Sequence, residues 1–231
     1  MRVARILLIV VVILGGLFVA ADRIAVHVAQ NTAAQRAQTS EGLSVKPKVS
    51  IEGFPFLTQV AGKKLDDVKI TADDIAATDG GQAVRIQSFH ADLHGVRLSN
   101  GFHHAVADHA DGAAFLSYAD LTKVAPPGVT VAYGGTDNSG RPMVKLSGTI
   151  LGSQLSVLSQ VSVHGSDSIG LHADALPQAF TALGLEDQLR QKIDFTFQLT
   201  HLPAGIGLSS VTPGPDGVSV AATGKGVVLA N

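Results

Sequence analysis

The stretch "VKPKVSIEGFPFL", Val45 to Leu57, decides how the rest of the chain is read. Val45, Pro47, Val49 and Ile51 alternate with Lys46, Lys48, Ser50 and Glu52, the two-residue repeat of a strand with one wet face. The run ends in Gly53-Phe54-Pro55-Phe56-Leu57, in a chain that has nine Phe and no Trp. Pro55 fixes its own φ and biases Phe54 towards an extended conformation, so both rings are expected on a stiffened strand end and not inside a helix. The segment holds bulky apolar groups in place where a strand stops.

Downstream the same alternation recurs. Val68/Ile70/Ala72, Val84/Ile86, Phe89/Ala91/Leu93, Val129/Val131/Tyr133, Val161/Val163, Ile169/Leu171, Phe195/Phe197/Leu199 and Val218/Val220/Ala222 all read as strands. Turn signals lie between them: "DGG" at Asp79, "GGTDNSG" from Gly134, "GSDS" from Gly165 and "PGPDG" from Pro213. Antiparallel meanders follow, not βαβ units. The apolar phase changes across Gly95, from Leu93 to Val96 and Leu98, which predicts a bulge that bends the sheet. Helices are expected over Asp22 to Gln38, where Ile24, Ala25, Val28, Ala29, Ala33 and Ala37 form a stripe of mostly small residues. Two more are read at Ser117 to Val124, stopped by Pro126-Pro127, and at Leu176 to Ile193 with a break near Gly184. The fold class is therefore α+β, mainly β: a long curved antiparallel sheet wrapped around an N-terminal helix, with a thin Ala-rich filler that leaves room for an apolar channel.

Upstream, Arg2 and Arg5 precede sixteen uncharged apolar residues, Ile6 to Ala21, followed by Asp22 and Arg23. Such a run suits a signal peptide with Val19-Ala20-Ala21 at its cleavage site, and equally a single membrane anchor with the arginines in the cytoplasm. Either fate exports the remainder, so residues 1–21 are read as signal peptide or anchor and 22–231 as one domain. A net charge of −2 supplies no basic field for nucleic acid, and 45% hydrophobic against 16% charged residues excludes disorder. The absence of Cys removes disulfides and thiolate chemistry.

No enzyme class emerges. There is no G-x-S-x-G elbow; Ser166 and Ser168 sit in a turn; "GIGLSS" at Gly205 opens onto a strand; and "AGKK" at Lys63 lacks the first glycine of a P-loop. The histidines His90, His94, His103, His104 and His109 cluster in sequence, but His90 and His94 on one strand stand about 13 Å apart, too far to share a metal. Surface and turn positions describe them better, and neither a metal nor a cofactor is expected. Asp66-Asp67, Asp73-Asp74 and Glu186-Asp187 read as solvated faces or helix starts.

"VSIEGFPFLTQVAGKKLDDVKITADDI" (Val49 to Ile75) together with "IDFTFQLTHLPAGIGLSSVTPGPDGVSVAATGKGVVL" (Ile193 to Leu229) resembles the LmeA-like family of exported actinobacterial phospholipid-binding proteins. The resemblance implies a fold like that of the tubular lipid-binding proteins, such as bactericidal permeability-increasing protein, in which a curved sheet wraps a helix around an acyl-chain groove. It also implies a non-enzymatic role in the cell envelope, phospholipid partners including phosphatidylinositol types, and lipid transport or lipoglycan biosynthesis as the process served. Phe54, Phe56, Leu57, Phe89, Leu93, Phe115, Leu116, Phe195 and Phe197 are then the groove candidates. With so few basic residues clustered beyond Lys63-Lys64, such a protein must hold lipid by its tails. The competing reading is an envelope scaffold with a filled core that assists a membrane glycosyltransferase.

Overall fold

The computed structural model describes residues 2–40, 42–79, 82–99, 104–150, 153–173, 195–198 and 202–230. Helix α1 (Arg2–Ser40) is followed by β1 (Lys48–Glu52) and a short α2 (Phe56–Ala61). Three long strands come next, β2 (Lys64–Asp79), β3 (Gln82–Ser99) and β4 (His104–Ser117), then α3 (Tyr118–Val124). Strands β5 (Val129–Thr136), β6 (Pro142–Ile150), β7 (Ser153–His164), β8 (Ser168–Ala173) and β9 (Phe195–Gln198) follow, and β10 (Ile206–Pro213) and β11 (Gly217–Ala230) end the chain. The helix expected over Leu176 to Ile193 lies outside the described residues.

The strands divide into two antiparallel sheets where the sequence suggests one. The larger has the order β1-β2-β3-β4-β11-β10 and the smaller β5-β6-β7-β8-β9. A two-residue repeat says which face a residue takes, not which sheet its strand joins, because pairing is decided by contacts far apart in sequence. The expected turns fall where the punctuation lies: Asp137 closes the β5–β6 hairpin, Gly165 opens the β7–β8 turn, and Gly214 donates its amide to the Gly217 carbonyl between β10 and β11. Helix α3 also falls where it is read; the Ser117 hydroxyl accepts the Asp120 amide at its start, and the Pro126-Pro127 pair lies just past its end.

In the larger sheet one face carries the apolar alternation of every long strand. Ile70, Ala91 and Gly112 lie level across β2, β3 and β4, and Ala222 of β11 continues the row. The phase change at Gly95 extends across four strands. Asp66, Gly95, Asp108 and Gly226 lie level and unpaired, and the inward-facing set shifts by one residue across them, from Val68, Leu93, Ala110 and Gly224 to Leu65, Val96, Ala107 and Val227. Gly95 and Gly226 have φ of 62° and 60°, open to glycine at little cost, and a Cβ on Gly95 would lie 2.6 Å from an Asp108 oxygen.

Two clusters of buried side chains occupy opposite ends of this inner face. At one end the second half of α1 lays Val26 and Ala34 on Val49, Phe56, Leu65, Val68, Leu93, Val96, Ala107, Ala110 and Val227. At the other end the smaller sheet sets Val144 and Leu146 against Val218, with Tyr118 and Leu121 of α3 beside them. The Leu208 amide donates to the Ser166 carbonyl, tying the β10 edge to the β7–β8 turn. Among the described residues the first half of α1 packs on nothing: Leu7, Leu8, Val12, Leu14 and Leu17 are all exposed. Among the described residues α1 is the one helix long and apolar enough to cross a membrane.

Candidate functional site

The "GFPFL" segment does two jobs. Phe54 stays exposed, with the Arg23 guanidinium 5.0 Å from the centre of its ring. Phe56, across a cis Phe54–Pro55 peptide, starts α2 and is 5% exposed in the α1 cluster. The expectation that neither ring enters a helix is therefore corrected for Phe56. Pro55, at φ −77°, serves as the residue before the first helical turn, where its missing N–H costs nothing. Buried Asp22 of α1 accepts the Leu57 amide at 2.8 Å and the Arg23 guanidinium at 2.6 Å, so α2 is pinned to α1 where the latter's apolar run ends. Leu57 packs half-buried against the same cluster.

The remaining candidates are distributed along the inner face or away from it. Leu93 is 4% exposed beneath α1. Phe89 is half-buried and belongs to neither cluster. Its row continues through Ala114 to Val220, and the next row towards α1 holds Ile70, Ala91, Gly112 and Ala222. Phe115 and Leu116 cannot share a face because adjacent strand residues alternate. Leu116 pairs with inward Val218, while Phe115 pairs with Ser88 and Ser219 and faces outwards. Phe195 and Phe197 lie on β9, opposite Leu171 and Ile169, and their side chains lie outside the described residues.

Between the two clusters runs a strip of the inner face built from small residues: Ala91, Gly112, Ala114 and Ala222, each half-buried, with Phe89 at its margin. Among the described residues a Cβ on Gly112 would meet only the carbonyls of His90 and Ala222, at 3.7 and 3.9 Å, and no side chain from across the sheet. Across β3, β4 and β11 the strip is about 10 Å wide at ordinary strand spacing. Its lining is apolar, and it has neither a nucleophile nor an acid–base pair.

On the outer face the histidines pair with carboxylates: His90 with Asp92 at 2.7 Å, His94 with Asp67, and His109 with Asp111 at 3.4 Å. Among the described residues no three His, Asp or Glu side chains converge as a metal site would require. His103 lies outside them.

A family model described as LmeA-like phospholipid-binding matches residues 20–223. The chain belongs to the LmeA-like phospholipid-binding family. Neither the curated proteins nor the solved structures contain a match to it. The family match begins where the apolar run of α1 ends and spans the strip, the cluster under the smaller sheet and all of the α1 cluster but Val227. For a member of a phospholipid-binding family the small residues are as informative as the aromatic ones, and sequence reasoning passed over them. The signal was present in Ala110-x-Gly112-x-Ala114 and Ala222-x-Gly224, a strand period with no bulk on its apolar face.

Proposed function

We propose that this protein is a non-enzymatic phospholipid-binding protein of the cell envelope that holds acyl chains along the strip between its two cores, in the manner of a tubular lipid-binding protein. The observation that carries the reading is the alignment of Ala91, Gly112, Ala114 and Ala222 on an apolar face whose two ends are already filled. Phe89 and Leu116 border the strip, and Leu93, Phe56 and Leu57 close it at the α1 end. Family membership supports the ligand class. Magnitudes favour the tails: each buried methylene contributes about 0.8 kcal/mol, so about ten contribute about 8 kcal/mol, against about 1 kcal/mol for a basic residue near anionic lipid. The apolar helix α1 then exports residues 22–231 and, if retained, anchors them to the outer face of the cytoplasmic membrane. Moving lipid during lipoglycan assembly, with a phosphatidylinositol-type ligand, is the process this role suits.

Native mass spectrometry of the gently purified full chain tests the reading. A co-purified phospholipid, identified after extraction, is the expected result. A protein that is always empty, and takes up none from mixed micelles, leaves the envelope scaffold with a filled core as the better account.

A further inference from the structure

A second feature lies on the opposite face of the larger sheet, at the end from which α1 emerges. Gly62, Lys63, Lys64, Arg97, Leu98, Ser99, His104 and Val106 line an open cavity of about 550 Å³. Lys64 and Arg97 are direct cross-strand partners, an arrangement of like charges that is unfavourable unless an anion lies nearby. Asp108 supplies part of that need: its carboxylate is 2.6 Å from the Arg97 guanidinium and 3.6 Å from the Lys64 ammonium. One carboxylate serves two cations and leaves Lys63 beside them, with His104 on the same rim. Asp66 does not line the cavity; its amide donates to the Gln59 side chain of α2. Lys63 is fixed by its backbone, with φ of 54° and its carbonyl accepting the Leu98 amide at 2.9 Å.

The position of the cavity identifies its ligand class. Asp22 of α1 is bonded to Leu57 at this end of the sheet, whereas Ser44, just past the other end of α1, accepts the Ala76 amide at the far end. The apolar half of α1 therefore leaves the domain beside α2 and Lys63, and a bilayer holding it would lie against this rim. We infer that the Lys63-Lys64-Arg97-His104 cavity binds the phosphate groups of anionic phospholipids in the bilayer surface, orienting the open domain on the membrane that its acyl-chain strip serves. This rests on reading α1 as a membrane helix and the protein as a lipid binder.

The test uses the full chain in nanodiscs of phosphatidylcholine alone or mixed with phosphatidylglycerol, at low salt, with amide hydrogen exchange followed at Lys63–Leu65, Val96–Ser99 and His104–Val106. The expected result is exchange about fivefold slower or more in the phosphatidylglycerol discs, the worth of about one surface cation near anionic lipid. The difference should vanish in Lys64→Gln/Arg97→Gln and, should that variant unfold, in the exposed pair Lys63→Gln/Lys64→Gln. Equal exchange in the two discs overturns the inference. So does equal protection in phosphatidylcholine discs given inorganic phosphate, which would make the site one for free phosphate. The groove reading fails separately, through wild-type protein that never carries lipid, and that result leaves the phosphatidylglycerol effect standing.

Discussion

Two stretches of β3 face the same way and meet different surroundings. Leu93, Val96 and Leu98 lie under α1, packed with Phe56, Val68 and Ala107. Phe89 and Ala91, only one or two alternations earlier, join neither core, and their neighbours on β4 and β11 are Ala114, Gly112 and Ala222. One half of the face is filled by the protein's own side chains. The other half is equally apolar but has small residues at its centre, with large ones only at its margins in Ile70, Phe89, Leu208 and Val220. A sheet that only needed a core would place Leu or Val at both, because each buried large side chain stabilises by about 1.5–3 kcal/mol. The proposed function accounts for the difference by reading the second stretch as the place of a ligand and not of self-packing.

The comparison breaks most readily at Phe56. Phe56→Asp places an unpaired charge in the filled half and should unfold the protein, at a cost of more than about 4 kcal/mol. Phe56→Ala should cost about 3–5 kcal/mol by denaturant titration. A folded Phe56→Asp protein would move that ring out of the core. Helix α3 offers a smaller effect, since Ser117 caps it and Asp120 accepts hydrogen bonds from the Ser117 hydroxyl and the Lys123 ammonium, both at 2.7 Å. Ser117→Ala should cost about 1 kcal/mol by denaturant titration, the worth of one helix cap, and a protein of unchanged stability would show that the cap contributes nothing.

The same carboxylate predicts an acid limb. Hydrogen bonds from Lys123 and then Ser117 outweigh burial and hold the Asp120 carboxyl below the usual carboxylate range. Its folded value is thus lower than its unfolded one. The stability it contributes is fully present above about pH 4 and is lost as pH falls through the folded value. Asp120→Asn should flatten that part of a stability-against-pH curve, and an unchanged curve would remove Asp120 from the account. The smallest effect is expected at Phe54: Phe54→Ser should shift stability by about 0.5 kcal/mol or less, since the ring is exposed, with the Arg23 guanidinium over it. A large loss there would show that the exposed half of "GFPFL" is core after all.

Much of this was legible in the residues because the physics involved is local. Alternation placed the long strands, Gly/Pro/Asp clusters placed three hairpins, the Pro126-Pro127 pair placed the end of α3, and the phase change between Leu93 and Val96 marked the irregular row now seen across four strands. Non-local features escaped. Which strands share a sheet depends on pairings such as β4 with β11, far apart in the chain. The cation cluster escaped for the same reason: Lys63-Lys64 is visible as a pair, but only the β2–β3 register sets Arg97 opposite Lys64. Pro55 was ambiguous because the rigidity that ends a strand also starts a helix. The pairing of Phe115 with Leu116 as groove candidates ignored the alternation that separates them. Searching for aromatic rings also directed attention away from Ala91, Gly112, Ala114 and Ala222, whose contribution is the space they leave.

The central claim is that this space holds acyl chains, and Gly112→Leu tests it most directly. Among the described residues a Cβ on Gly112 meets only two carbonyls at ordinary contact distance, and its φ is not in the left-handed region, so the substitution should leave thermal stability unchanged or slightly raised. The measurement is the amount of phospholipid bound per chain, by native mass spectrometry of wild type and variant purified side by side with their melting temperatures. The account predicts lipid on the wild type and little or none on an equally stable Gly112→Leu protein. Full lipid occupancy on the stable variant would contradict it.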